Sequence, residues 1–315
     1  MVDVAWGQLV SMLTEADIEY YIRAGRIACT VRKEVENYIS AGTRLLDIAE
    51  FIEKRILELG GEPAFPTNIS INNIAAHYTP TPGDQLTVPE NAVVKIDIGV
   101  HVEGYIADTA TTVSLAEKYR ALVEAAKEAL EKALTFVLPG RRFSDVGSVI
   151  ENTIKTRGFK PIYNLSGHSI DRYSIHAGET IPNYRDRLNL GKFRQGKVYA
   201  LEPFATNGSG FVVDTPTITI YALRYNPKKI RYLSKDVRDL YSYIYDRRRG
   251  LPFAKRWLLE TFDGDVIEKA LKEFESNGLL ITYPVLIEKS SGTVTQFEHT
   301  VVIDKSGQVI ITTDC

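Results

Sequence analysis

The sequence predicts an α+β fold of two pseudo-symmetric α/β halves, with a helical segment inserted into the second. Three observations predict it. Sliding the chain against itself by 98 positions lays residues 42–60 over 140–158 with seven identities in nineteen positions: Gly42/Gly140, Arg44/Arg142, Asp47/Asp145, Ile52/Ile150, Glu53/Glu151, Ile56/Ile154 and Gly60/Gly158. The similarity extends past one helix, because VVKIDIG (93–99) lies over VYALEPF (198–204) with Asp97 above Glu202. The stretch 222–280 reads as helical and interrupts the second half, leaving 1–221 and 281–315 as the main domain and 222–280 as the insert.

The elements follow in order. Residues 15–40 place apolar side chains at helical spacing, and TRLLDIAEFIEKRILELG (43–60) is a second amphipathic helix closed by Gly60. From Glu62 to Ser114 the chain is strand-like and rich in turns. Within it, Val94, Ile96, Ile98 and Val100 alternate with period two, Glu103-Gly104 supplies turn chemistry, and Tyr105 to Val113 runs back. Helices are expected over about 115–137 and 141–158. KVYALEPFAT (197–206), GFVVDTPTITIY (210–221), TVTQFEHTVVI (293–303) and the closing QVIITTD read as strands.

Composition narrows the function classes. A chain of 315 residues, 44% hydrophobic and 25% charged, can bury a sizeable core as a soluble protein. Its net charge of −2 gives no overall pull towards DNA or an anionic membrane. Two cysteines, Cys29 and Cys315, imply no disulfide framework and fit a reducing compartment. MVDVAWGQLVSMLTEADIEYY lacks the basic start and long apolar run of a signal peptide, and no stretch is long and apolar enough to span a membrane. A cytoplasmic location is expected.

The chemistry begins with two acids. If the 95–110 hairpin folds about Val102–Glu103, Asp97 faces Asp108 directly. Carboxylates so placed, with Cβ atoms about 5 Å apart, repel by roughly 3 kcal/mol at an effective dielectric of about 20. Two further acids lie in apolar strands: Glu202, between Leu201 and Pro203-Phe204, and Glu298, in TQFEHTVVI. Such groups are costly to bury unless they are paired or bound to a cation. With His168 of NLSGHSI they make four carboxylates and an imidazole, a set that can hold two divalent cations and turn the repulsion into attraction. Two such cations suit hydrolysis.

Of the other histidines, His77 and His176 lie about a hundred residues apart in the two halves, as core groups or as hydrogen-bonding partners of a substrate. His101 is expected to be exposed in the hairpin turn, and His299 to be structural. No phosphate-binding glycine loop, CxxC pair, HExxH or GxSxG elbow occurs.

With these residues assembled, the chain resembles the type 2 methionine aminopeptidases, in their archaeal form, of the pita-bread metallopeptidases. The stretches that carry the resemblance are PAFPTNISINNIAAHYTP, KIDIGVHVEGYIADTA, GHSI with SIHAG, ALEPFAT, PFAKRWL, YPVL and QFEHT. The resemblance implies a pita-bread (creatinase/aminopeptidase) fold and removal of the initiator methionine from nascent chains whose second residue is small. It implies Asp97, Asp108, His168, Glu202 and Glu298 as metal ligands, with Asp108 and Glu298 bridging. Glu202 matches the general base, and His77 and His176 match the groups that bond the scissile amide and the tetrahedral intermediate. Phe65, Ile175, Phe204 and Tyr283 fall where the family lines its methionine pocket. The cofactors implied are two divalent cations, whether cobalt, manganese, iron or zinc.

By the same rule the chain's own Met1-Val2 is a cleavable start. The long charged amino-terminal extension of eukaryotic relatives is not expected here. Two other readings are a pita-bread binding module without catalysis and a proline-directed enzyme such as prolidase or aminopeptidase P. All five ligand positions are filled, which argues against the first. The second carries a separate amino-terminal domain.

The insert is winged-helix-like in this family. Its stretch 223–256 holds eleven Lys and Arg against three Asp, interleaved with tyrosines. That pattern fits either contact with ribosomal RNA or a solvated subdomain that shapes the pocket through Tyr283. The chain is expected to act as a monomer.

Overall fold

The computed structural model describes residues 13–315. The expectations for Met1-Val2 and for the first twelve residues of the amino-terminal stretch lie outside the described residues. Helices α1 (Glu15–Glu36) and α2 (Leu45–Glu58) open the chain. Thr14 and Asp17 cap α1 reciprocally, each side chain accepting from the other's backbone N–H. Both helices cover one face of an antiparallel sheet containing β1 (Asn68–Ile71), β2 (Val93–Val102) and β3 (Tyr105–Ser114). Ile27, Val31, Ile48 and Ile52 pack there against Ile96, Ile98 and Val100.

The second half repeats the plan with α3 (Arg120–Thr135), α4 (Phe143–Thr156), β4 (Ser166–Ile170), β5 (Lys197–Leu201), β6 (Phe204–Thr206) and β7 (Val212–Leu223). The insert carries α5 (Lys235–Arg248) and α6 (Gly264–Ser276), and the chain closes through β8 (Leu280–Glu288), β9 (Val294–Gln296) and β10 (His299–Ile303). Strands β10, β5 and β4 are neighbours in a five-stranded antiparallel sheet. On its face lie Leu122, Val146 and Ile150 of α3 and α4.

The internal repeat has a structural counterpart. Arg44 and Arg142 precede α2 and α4, and each pairs across an isolated bridge, with Thr87 and with Lys192. Gly60 and Gly158 both take the left-handed backbone, at φ 81° and 84°, that ends the two helices. Strands β7 and β8 pair from Val212↔Glu288 to Leu223↔Leu280, and the insert sits beyond the far end of that ribbon. It has a core of its own around Leu240, Ile244 and Phe274. Two of its basic side chains turn inward: Arg248 donates to the carbonyls of Pro63 and Ala64, and Arg256 pairs with buried Glu53.

Three expectations are corrected. The hairpin turns at Glu103-Gly104, not at Val102–Glu103. Both turn residues have positive φ, 53° and 86°, as a tight two-residue hairpin turn demands, and the register becomes Val102↔Tyr105. Asp97 therefore opposes Ala110, and Asp108 is its diagonal neighbour on the same sheet face. His101 is buried on β2 and is not an exposed turn residue; its Nδ1 accepts from Gly104 N at 3.3 Å and its ring lies edge-on to Tyr173. Cys29 and Cys315 are joined in a disulfide. A separation of 286 residues leaves no local signal of that pairing, which follows from the carboxyl-terminal tail lying against α1 where Gly25 has no side chain to hold it off.

Candidate metal centre

The site forms where the two halves meet. The main chains of Ala110 and Glu298 bridge, with Glu298 N donating to Ala110 O at 3.1 Å. Thr300 ties the same junction twice: its Oγ1 accepts from Asp108 N at 2.7 Å and donates to Asp108 O at 2.8 Å. Asp97 and Asp108 reach in from β2 and β3 of one half, and His168 from β4 of the other. Gly167 allows that approach, since a Cβ there would lie 2.3 Å from Ala200 O on the next strand.

The two glutamates sit where strands break. The expected continuous strand over 197–206 is two strands, interrupted at Glu202-Pro203, because a proline has no N–H to continue the ladder. The strand expected over 293–303 is likewise split at Phe297-Glu298. Each acid thus stands at a gap between strands, where the carboxylate can leave the plane of the sheet and enter the site.

The cluster is tight and largely buried. One donor atom from each of Asp108, His168 and Glu298 lies within 4.8 Å of the others. His168 Nε2 is 3.8 Å from Asp108 Oδ2 and 3.7 Å from Glu202 Oε1. Asp108, His168 and Glu298 are 3%, 5% and 1% exposed. Yet Asp97 Oδ1, Asp108 Oδ1 and Glu298 Oε1 are buried without any hydrogen-bond partner.

The electrostatics follow from that geometry. Burial pushes the Asp97 carboxyl up to about 7, against hydrogen bonds from Gln296 and Asp108 that lower it. Burial, then the charges of Asp97 and Glu202, hold Asp108 well above the carboxylate range. Burial and Asp97 raise Glu202, and burial with Asp108, Glu202 and Asp97 raises Glu298. Burial, helped by His176, drives His168 down to about 3, so its imidazole is neutral with a lone pair to give. Orphaned carboxylate oxygens, mutual repulsion and a neutral imidazole are the donor set that divalent cations satisfy, and the residues fit a metal.

All of the sequence-predicted site residues line one cavity of about 380 Å³. Phe65, Ile175, Phe204 and Tyr283 are among its apolar lining, and His77 and His176 line it too, the His77 ring lying edge-on to Tyr283 at 5.7 Å. The rings of His168 and His176 meet edge-on at 4.5 Å. His77 has positive φ, 65°, and its Nδ1 lies 3.1 Å from Pro284 O. His299 lies outside the cavity, its Nδ1 bonded to Thr313 Oγ1 at 2.7 Å, in the structural role expected of it.

Sequence reasoning missed two residues here. Gln296 is 1% exposed and points Nε2 at Glu298 Oε2, 3.5 Å away. Asn68 sits opposite Asp97 on β1 and lines the cavity with an unpartnered Oδ1. The signal for Gln296 was in its spacing: a glutamine two residues before an acid on an apolar strand shares that acid's face.

Comparison with known proteins places these features in context. The model described as metallopeptidase family M24 matches residues 19–305. The chain is 47% identical over 295 residues to the methionine aminopeptidase of Thermococcus kodakarensis, covering 93% of this chain and 99% of that one. It is 45% identical over 302 residues to the methionine aminopeptidase of Saccharolobus solfataricus, covering 96% and 99%. The crystal structure of the Thermotoga maritima methionine aminopeptidase superposes with a TM-score of 0.70 over 97% of this chain and 99% of that chain; at 22% identity this speaks to the fold alone.

Proposed function

The chain belongs to metallopeptidase family M24 and has its pita-bread fold, and from that premise we propose how its residues carry out its activity: hydrolytic release of an amino-terminal methionine from peptides and nascent proteins with a small second residue. The observation that carries the reading is the convergence of four carboxylates, three of them with a buried oxygen that lacks any hydrogen-bond partner, and a neutral imidazole on one cavity that Phe65, Ile175, Phe204 and Tyr283 also line.

Asp97, Asp108, His168, Glu202 and Glu298 would hold divalent cations. Two are proposed, because four carboxylates leave one dication overcompensated. Cobalt, manganese, iron and zinc all suit oxygen and imidazole donors, so availability selects among them. When bound, the cations supply Lewis acidity for the scissile carbonyl and bring a water's pKa near neutrality.

The protein's own groups do the rest. The methionine side chain seats among Phe65, Ile175, Phe204 and Tyr283, which leaves the free α-amine towards the acids. Glu202, whose side chain is 15% exposed at the cavity surface, takes a proton from the attacking water and delivers it to the leaving nitrogen. The bond from His77 to Pro284 O places the proton on Nδ1, so Nε2 is free to accept the substrate's amide N–H. Burial lowers His176 as well, and a neutral imidazole there donates its N–H to the developing oxyanion.

The setting proposed is the cytoplasm, with nascent amino termini as substrates and the protein acting alone; among the described residues no helix is long and apolar enough to cross a membrane. Incubating metal-reconstituted protein with Met-Ala-Ser and with Ala-Pro-Ser tests the reading. Methionine released from the first and nothing from the second is the expected result. Cleavage of the proline peptide alone would overturn it in favour of a proline-directed enzyme.

A further inference from the structure

The insert makes contact with the pocket through a side chain that the reaction itself does not use. Arg248, the last residue of α5, is half-buried, with its guanidinium turned from the insert towards the first half. Its guanidinium donates Nη1 to Pro63 O at 2.9 Å, Nη2 to Ala64 O at 2.9 Å and to Pro252 O at 2.8 Å, and Nε to Pro252 O at 3.1 Å. Two of the three carbonyls immediately precede Phe65, and the third belongs to Pro252. Phe65 and Pro252 are both walls of the cavity. One planar cation therefore joins two pocket walls that come from opposite ends of the chain.

The Phe65 segment is held from its other sides too. Ala64 N donates to Gly99 O at 2.8 Å, and the Phe65 ring occupies the space where a Cβ on Gly99 would sit, 2.3 Å from its nearest ring carbon. Beyond Phe65, Thr67 N donates to Glu53 Oε1 at 3.1 Å, and Glu53 is itself held by Trp257 Nε1 at 2.7 Å and by Arg256, both from the insert. The fork geometry of guanidinium matters here. A lysine ammonium keeps the charge but cannot lie in one plane with three carbonyls and span them.

We propose that Arg248 is a positioning residue for substrate selection: by bridging Pro63, Ala64 and Pro252 it sets the separation of Phe65 from Pro252, and so the fit of the substrate's first side chain. This rests on the function proposed above. None of the five acid and imidazole groups touches the guanidinium. Loosening it changes the contacts made equally in the ground state and the transition state, which appear in KM and leave kcat alone.

The test is Arg248→Lys in the full-length, metal-reconstituted protein, assayed on Met-Ala-Ser and Leu-Ala-Ser, with metal content measured alongside. Binding of Met-Ala-Ser to the same variant in a Glu202→Gln background, followed by calorimetry, gives a readout free of turnover. The expected result is a KM for Met-Ala-Ser raised about tenfold with kcat within about twofold, equal weakening in the calorimeter, and a smaller preference for methionine over leucine. An unchanged KM and preference overturns the proposal, as does a fall in kcat that tracks lost metal. If Arg248→Lys does not fold, Glu53→Gln loosens the same segment beyond Phe65 and is judged by the same criteria. Failure of the wild-type protein to cleave Met-Ala-Ser would instead sink the functional reading.

Discussion

Glu288 and Glu298 lie ten residues apart near the end of the chain, and both are buried, at 0% and 1% exposure. Their surroundings are opposite. Glu288 sits in a nest of donors: Oε1 accepts from Ser209 N and Oγ and from Gly210 N, and Oε2 from Ser290 N and Oγ and from Gly292 N. Burial raises its carboxyl, but the bonds from Ser209, Gly292 and Ser290 prevail and pull it down to about 2. Glu298 has one long contact from Gln296 and three carboxylates for company, and it is held above its ordinary range. The first acid is satisfied by the protein and serves the fold. The second is left unsatisfied by the protein, and the partner proposed for it is a cation. Buried charge marks function here only where the donors are absent.

The comparison breaks most visibly on exchange of each acid for its amide. Glu298→Gln should lower kcat by about a thousandfold or more in metal-supplemented assays, while the metal-free variant unfolds no more easily than the metal-free parent, since a repelling charge has gone. Glu288→Gln should do the reverse. It keeps kcat within about twofold and loses on the order of 3 kcal/mol in denaturant titrations, because donors aimed at a carboxylate lose their charged acceptor. Equal stability losses in the two variants would erase the distinction.

Acidity sharpens it on a smaller scale. A depressed carboxyl such as Glu288 contributes stability above its unfolded pKa, near 4.5, and that contribution is lost as the pH falls towards about 2. A raised one such as Asp97 behaves oppositely in metal-free protein: stability is full below about 4 and is lost as the pH rises through about 7. Buried histidines, lowered to about 3 at His168 and about 4 at His101, gain stability over part of the same range, so the test is a difference: in chelator, Asp97→Asn should gain melting temperature on its parent by about 5 °C between pH 5 and pH 8, and in manganese it should not. A parent and variant that shift in parallel would mean that the acids do not repel one another.

Much of this was legible in the residues, for reasons that differ by element. The helices 43–60 and 141–158 declared themselves through apolar periodicity and terminal glycines, signals that live within one segment. Glu202 and Glu298 were found because each interrupts an apolar strand, where an unpaired charge is costly to bury; Asp97 and Asp108, on the alternating strands of a hairpin, gained weight only in that company. The hairpin register was misplaced because Val102–Glu103 and Glu103-Gly104 differ by one residue, and only the positive φ at both Glu103 and Gly104 decides between them. Pro203 carried a signal for the break at Glu202, while strand-like composition hid the one at Glu298. His101 looked exposed because burial of a turn-proximal histidine depends on partners such as Tyr173, far away in sequence. The inward turn of Arg248 and Arg256 was equally invisible: a run of basic residues reads the same whether it faces solvent or main-chain carbonyls.

If Glu298 and its neighbours are unpaired acids that take up cations, metal binding must expel the protons their raised carboxyls carry. Manganese titrated calorimetrically into chelator-stripped protein at pH 6, in two buffers of different ionisation enthalpy, reports the protons expelled on binding. Binding of about two cations per chain with net proton release is expected, both reduced by Glu298→Gln and neither by Glu288→Gln. Binding without proton release, or binding indifferent to Glu298, would contradict it.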